Sequence, residues 1–297
     1  MQTGKINSLV SVILLTWNSE DFISLCLESL AQQTYPYFEI IVVDNASKDN
    51  TVQRLKACAH AALVKKLIVN EKNLGCAGGN NVGWRASSGD IVIFLNPDTV
   101  VTKTWMENLS SALLADREAV IAGCRIHYPN SHRIQHAGGI LYPNGMSRHV
   151  GSGEEDQGQY DQLRQVDYVT GAAIGVKRDF LEKAGGFDED YFPAYFEETD
   201  LCYKAKKQGK RALYVPNALL YHYESPGLSR HSPQFYALYY KMRIRFVVKN
   251  YTLLEILIKF LPFELRWMLF EPLARGFRLR QLRAYWQGIK FVLFHRR

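Results

Sequence analysis

Four short, β-rich apolar runs separated by stretches of helical size constrain this chain most. Residues 9–15 fit a buried strand, 38–44, 63–70 and 90–96 read as further strands, and a fifth follows at 119–124. A helix capped by Asn18 or Ser19 fits behind the first run, with Phe22, Cys26 and Leu30 on one face. Further helices are predicted over 47–62 and from near Thr102. Strands alternating with helices at this size imply βαβ units, hence an α/β fold with a parallel sheet covered on both faces. From 125 to 165 Gly, Pro, Asn, His and Ser dominate, which predicts loops and a hairpin. Order returns at 166–176, and the helix after it stops at Gly185-Gly186. Another helix is expected over 197–207 with Gly209 as its left-handed cap, then strands at 212–215 and 219–223. Everything from Ser232 on reads as helical.

The 297 residues are 47% hydrophobic and 22% charged, which suits one large domain or a domain plus an appendage and excludes a mainly disordered or coiled-coil chain. Uncharged apolar runs fall short of the ~18–20 residues of a spanning helix; the most apolar C-terminal run is broken by Glu255, Lys259 and Pro262. With no signal-peptide cleavage pattern either, the expectation is a cytoplasmic protein. The cysteines at 26, 58, 76, 124 and 202 have no C-x-x-C spacing, so neither a disulfide framework nor a zinc site is expected. The net charge of +7 is uneven. Residues 241–297 hold 13 Lys/Arg against 3 Glu, whereas the rest of the chain is slightly acidic.

In open parallel sheets ligands bind beyond the carboxyl ends of the strands. Three strands deliver polar groups there: Thr16, Trp17 and Asn18; Asp44 and Asn45; Asn96 and Asp98. Asp44 could accept from a base or a ribose, or could serve as a plain turn residue. A nicotinamide site is disfavoured, because the turn after the first strand has no glycine for a pyrophosphate; the glycines come later, in residues 73–81. Asn96-Pro97-Asp98 is either a common turn or a carboxylate placed to ligate a hard cation. The acids Glu197, Glu198 and Asp200 open a helix, where they complement its dipole or offer a general base. His222 fits a buried, hydrogen-bonded residue as well as a functional one.

Taken together, these residues resemble the family 2 glycosyltransferases, and within them a rhamnosyltransferase-like branch. The resemblance is carried by Val-Ile-Leu-Leu-Thr-Trp-Asn at 12–18, Ile-Val-Val-Asp-Asn-Ala-Ser-Lys-Asp at 41–49 and Asn-Leu-Gly-Cys-Ala-Gly-Gly-Asn at 73–80. It continues through Leu-Asn-Pro-Asp-Thr at 95–99, Gly-Gly-Phe-Asp-Glu-Asp-Tyr-Phe at 185–192, Phe-Glu-Glu-Thr-Asp-Leu-Cys at 196–202 and Tyr221-His222. It implies the GT-A fold, a Rossmann-like, mostly parallel central sheet flanked by helices, over 1–231, with a basic helical region over 232–297. It further implies that Thr16 and Asn18 line the nucleotide pocket, that Asp44 binds the base, and that Asn73, Gly75 and Asn80 sit beside the base or sugar. Asn96 stands where the family motif has a first Asp, and Asp98 matches the retained carboxylate for Mg²⁺ or Mn²⁺, with His222 completing the metal site. Glu198 stands where the family base is usually Asp; Glu197 and Asp200 are the neighbours that could take the proton instead.

The implied activity is an inverting, metal-dependent transfer of a sugar from a nucleotide-diphospho-sugar in cell-surface polysaccharide synthesis. By resemblance the donor is dTDP-rhamnose or a UDP-sugar, and the acceptor a saccharide or a polyprenyl-diphosphate-linked sugar. A nucleotidyltransferase on the same fold and a non-catalytic, membrane-associated scaffold are the alternatives. The tail interleaves Arg and Lys with aromatic and aliphatic residues, which suits a membrane interface, a helical bundle with its arginines in water, or nucleic acid. Nucleic acid is not expected, since nothing else here reads bases. The expected location is the inner face of the cytoplasmic membrane, as a peripheral protein.

Overall fold

The computed structural model describes residues 8–224, 232–270 and 285–286. The chain divides into two units, 1–140 with 149–225 and 141–148 with 226–297. The expected boundary at 231/232 falls at the edge of 225–231, outside the described residues.

In the first unit β1 (Val10–Thr16), β2 (Phe38–Asp44), β3 (Val64–Val69) and β4 (Ile91–Leu95) lie parallel in the order β3-β2-β1-β4. Short β5 (Thr99–Val101) follows, then β6 (Ala119–His127), β7 (Ile134–His136), β8 (Gly139–Leu141), β9 (Ser147–His149), β10 (Arg164–Val166), β11 (Ala173–Lys177) and β12 (Arg211–His222). Beyond β4 the sheet becomes mixed, because β11 runs antiparallel between β4 and β6 while β12 is parallel to β6. The two strands expected at 212–215 and 219–223 are one strand, with a register shift between Val215 and Leu219. Pro216 in that gap has no N–H to give to a ladder, so the strand bulges there and pairs again.

The period of two along β1 builds both cores. Val10, Val12 and Leu14 join Ile40 and Val42 beneath α1 (Ile23–Ala31), while Ile13 joins Ile41 and Val43 on the other face. Helix α2 (Thr51–Ala57) is shorter than expected. Its entry residues hydrogen-bond locally instead, Asp49 accepting from Thr51 N at 3.0 Å and Asp44 from Ser47 N at 3.0 Å.

Helix α3 (Gly75–Arg85) was not legible from propensity, since four of its eleven residues are glycine. Two of these glycines are there for close packing. A Cβ on Gly79 would lie 2.3 Å from Leu15 Cδ1, and one on Gly83 2.3 Å from Ile13 Cγ2. The bare face of α3 thus lies directly on β1. Gly83→Ala is expected to destabilise the fold by ~1–3 kcal/mol through overpacking, read as a lower thermal melting point. An unchanged melting point would show that β1 yields freely.

The remaining helices of this unit are α4 (Trp105–Ala115), α5 (Arg178–Ala184), which ends on left-handed Gly185, and α6 (Glu197–Lys207). The second unit holds α7 (Pro233–Asn250) and the helical stretch Leu253–Glu255, Ile256–Phe260 and Leu261–Phe270. Arg243 of α7 is fully buried there, whereas Arg266 is exposed.

Candidate active site

The loops after β1 and β2 are stitched together by side chains. Thr16 Oγ1 donates to Asp44 Oδ1 at 3.0 Å, and Ser47 donates to the same carboxylate from Oγ at 2.6 Å and from N at 3.0 Å. Asp44 is therefore a turn-closing residue in fact, whatever else it does; a carboxylate has about four lone-pair sites, so acceptor capacity remains. Asn18, at φ 51°, accepts from Lys48 N at 2.8 Å while its own N–H reaches Ser47 Oγ at 2.9 Å. Asn45, which no sequence signal set apart from its neighbours, joins three segments. It donates to Asn73 Oδ1 at 3.0 Å and Gly75 O at 3.1 Å, and accepts from Asn70 Nδ2 and Leu74 N.

Gly75 opens α3 at φ 73°, and a Cβ there would meet Pro193 O at 2.8 Å and Phe192 Cδ2 at 2.9 Å. The next amide, Cys76 N, donates to Pro193 O at 2.8 Å, so the start of α3 is tied to the segment leading into α6. Asn80 is half-buried on α3. Its neighbour Asn81 is fully buried and bridges α3 to Phe187 O at 2.9 Å and Glu189 Oε1 at 2.8 Å, which makes it an anchor.

Asp98 and His222 meet because β5 pairs with the end of β12, placing Thr99 opposite His222. His222 Nε2 lies 3.2 Å from Asp98 Oδ1, and both residues are buried. The other ring nitrogen, Nδ1, lies 2.7 Å from Gln135 Oε1, while Gln135 Nε2 reaches back to His222 O at 3.4 Å. A carbonyl oxygen only accepts, so Nδ1 carries the proton. Nε2 then faces the carboxylate either as a protonated donor or with its lone pair, and in the second case the two lone pairs repel unless a cation lies between them. An imidazole fixed through its far nitrogen beside a carboxylate is how metal-ligating histidines are held. The pair therefore fits a divalent cation that takes its other ligands from phosphate and water. Among the described residues no group of three or more His, Cys, Asp or Glu could hold a metal ion without such help. Gln135 lies in the loosely patterned stretch, 87 residues from His222, and no local sequence signal pointed to it.

Asn96 leads from this pair to the acids. Its N–H donates to Ala172 O at 3.0 Å, and a Cβ on adjacent Gly171 would lie 3.9 Å from Glu198 Cδ. Tyr195 and Phe196, both at positive φ (79° and 74°), turn the chain into α6, a conformation that costs such bulky residues of order 1–3 kcal/mol each. The three acids differ by environment. Asp200 is buried, accepts from Tyr191 OH at 3.2 Å and pairs with Lys204 at 3.5 Å, so it is a structural carboxylate. Glu197 is buried with Oε2 unpartnered, and burial followed by the charge of Glu198 pushes its carboxyl well above the usual range. Glu198 is half-buried, and burial pushes it up to about 7. A carboxyl of that affinity with access to solvent can take a proton near neutrality.

A model of Glycosyl transferase family 2 matches residues 11–185. The O-antigen biosynthesis protein RfbC of Myxococcus xanthus is 30% identical over 73% of this chain and 17% of its own length. The low-salt glycan biosynthesis hexosyltransferase Agl10 of Haloferax volcanii is 26% identical over 84% of this chain and 81% of its own. The chain spans a quarter or less of the length of two relatives that it matches at 30% identity. Among solved structures, GalNAc-T7 with UDP, GalNAc and Mn²⁺ is similar at a TM-score of 0.68 and 17% identity, over 98% of this chain and 57% of that one. The chain belongs to glycosyl transferase family 2.

Proposed function

We propose that this chain transfers a glycosyl group from a nucleotide-diphospho-sugar to an acceptor hydroxyl, with inversion, in the assembly of a surface glycan. The observation that carries the reading is the chain of contacts that leads from the Asp98–His222 pair through Asn96, Ala172 and Gly171 to Glu198. Asp98 and His222 would hold Mg²⁺ or Mn²⁺, which supplies positive charge for the departing diphosphate. Thr16, Asn18 and Asp44 line the nucleotide end, with Asn73, Gly75, Asn80 and Asn96 beside base, sugar or phosphate. Glu198 accepts the proton of the acceptor hydroxyl as its oxygen attacks the anomeric carbon. The new C–O bond forms as the sugar–phosphate bond breaks, and the nucleoside diphosphate leaves.

The resemblance to the rhamnosyltransferase-like branch favours dTDP-rhamnose, and UDP-sugars stand next. The acceptor is a saccharide or a polyprenyl-diphosphate-linked sugar at the inner face of the cytoplasmic membrane. The test incubates the full chain and Mn²⁺ with dTDP-, UDP- and GDP-sugars and identifies the nucleotide product. Slow release of a nucleoside diphosphate from one donor is expected. Release of inorganic pyrophosphate from a nucleoside triphosphate and a sugar 1-phosphate, supplied in a parallel incubation, would instead indicate a nucleotidyltransferase, and no turnover or binding would leave a scaffold.

A further inference from the structure

The helical stretch over 253–270 in the second unit carries its polarity inverted with respect to a helix in water. Its outward stripe is Leu254, Leu257, Ile258, Leu261, Leu265 and Leu269, each 41% to 64% exposed. Its inward side presents a charge. Glu264 is 3% exposed and accepts from Arg243 Nη1 at 2.7 Å and from Asn144 Nδ2 at 2.9 Å, with the Tyr285 hydroxyl donating to its other oxygen. Arg243 is held over the rings of Tyr240, Trp267 and Phe260 at 5.4, 5.5 and 6.0 Å. A helix packed in water is selected for the opposite arrangement, apolar side in and charges out. Burying an ion pair costs desolvation, and exposing a leucine stripe forgoes burial. Both costs fall when the outer face meets an apolar medium.

From this inversion we infer that the leucine face of 253–270 is a docking surface for an anionic membrane, with the helix lying in the interface. Charge complementarity selects this occupant. Exposed Arg266 and Lys259, the latter paired with Glu255 at 2.9 Å, lie on the same stretch, within a segment that holds 13 Lys/Arg against 3 Glu. Among the described residues no helix is long and apolar enough to cross a membrane, so the face beds into the surface rather than spanning it. The inference rests on the second unit alone, and its failure would leave the chemistry proposed for the strand ends untouched.

The test is co-sedimentation of the full chain with phosphatidylcholine vesicles, with and without phosphatidylglycerol. Wild type is expected to bind the anionic vesicles and to bind the neutral ones less. Leu257→Gln, Leu261→Gln and Leu265→Gln combined should lower the partition roughly tenfold or more at an unchanged melting point, since all three side chains are already exposed. If that variant melts lower, Leu254→Gln alone carries the test and should weaken binding severalfold. Wild type remaining in the supernatant with anionic vesicles overturns the inference, as does undiminished binding by the folded variants. Loss of a self-associated form in the variant, without vesicle binding by wild type, would assign the face to a second copy of the chain.

Discussion

Glu198→Gln lowers kcat by ~10²–10⁴-fold while donor affinity stays within a few-fold, if Glu198 is the proton acceptor. The amide keeps the size and polarity of the side chain and removes only its basicity. The pH profile sharpens the expectation. Burial pushes Glu198 up to about 7, so the base is mostly protonated below neutrality. The rate should rise with pH up to about 7 and then level off, and the variant should lose this limb. Stability moves the other way. A carboxyl whose folded affinity for protons is raised makes a contribution that is complete below its unfolded value of 4.5 and is lost as pH rises through about 7. Glu198→Gln should therefore melt higher than wild type at pH 8, by the equivalent of ~1–3 kcal/mol, and level with it near pH 4. A variant with wild-type rate would move the role to Glu197, whose buried carboxyl has one oxygen without a partner.

Asp98→Ala is the second large effect and has a different signature. It removes the carboxylate that faces His222 Nε2, and with it the charge that would hold the cation beside the diphosphate. Both kcat and donor binding should fall, kcat/KM by ~10² or more, since charge that stabilises a developing anion is worth several kcal/mol. Added Mn²⁺ should no longer raise donor affinity. The kinetic contrast with Glu198→Gln, where binding survives, separates the two roles on one enzyme. Equal Mn²⁺ dependence in wild type and Asp98→Ala would remove the metal from this pair.

How much of this was legible in the sequence varies with the range of the interaction. The strands of the parallel half were legible because β1, β2 and β4 are buried on both faces and read as unbroken apolar runs. Helix α6 matched its expected span, 197–207, because an acidic first turn, a basic last turn and Gly209 mark it locally. Helix α3 was hidden, since Gly79 and Gly83 are chosen by contact with Leu15 and Ile13 rather than by helix preference. The site divides the same way. Asp98 and His222 stood out at strand ends, but Gln135, which sets the tautomer of His222, is placed only by tertiary structure. Residue type and spacing left the three acids of α6 equivalent, and only the family resemblance singled out Glu198. Their surroundings separate them, with Asp200 committed to Tyr191 and Lys204, Glu197 sealed in, and Glu198 left accessible.

On the proposed function, the strand ends bind a nucleotide diphosphate through a cation on Asp98 and His222. Thermal melting of wild type and Asp98→Ala with UDP, dTDP, GDP and CDP, each with and without Mn²⁺, tests it most directly. At ~100 times its dissociation constant a ligand stabilises the folded state by roughly 2.7 kcal/mol, which is readily seen as a rise in melting temperature. Such a rise is expected for one nucleotide in wild type, dependent on Mn²⁺ and absent in Asp98→Ala. No rise with any nucleotide on folded protein, or an equal rise in the variant, would contradict it.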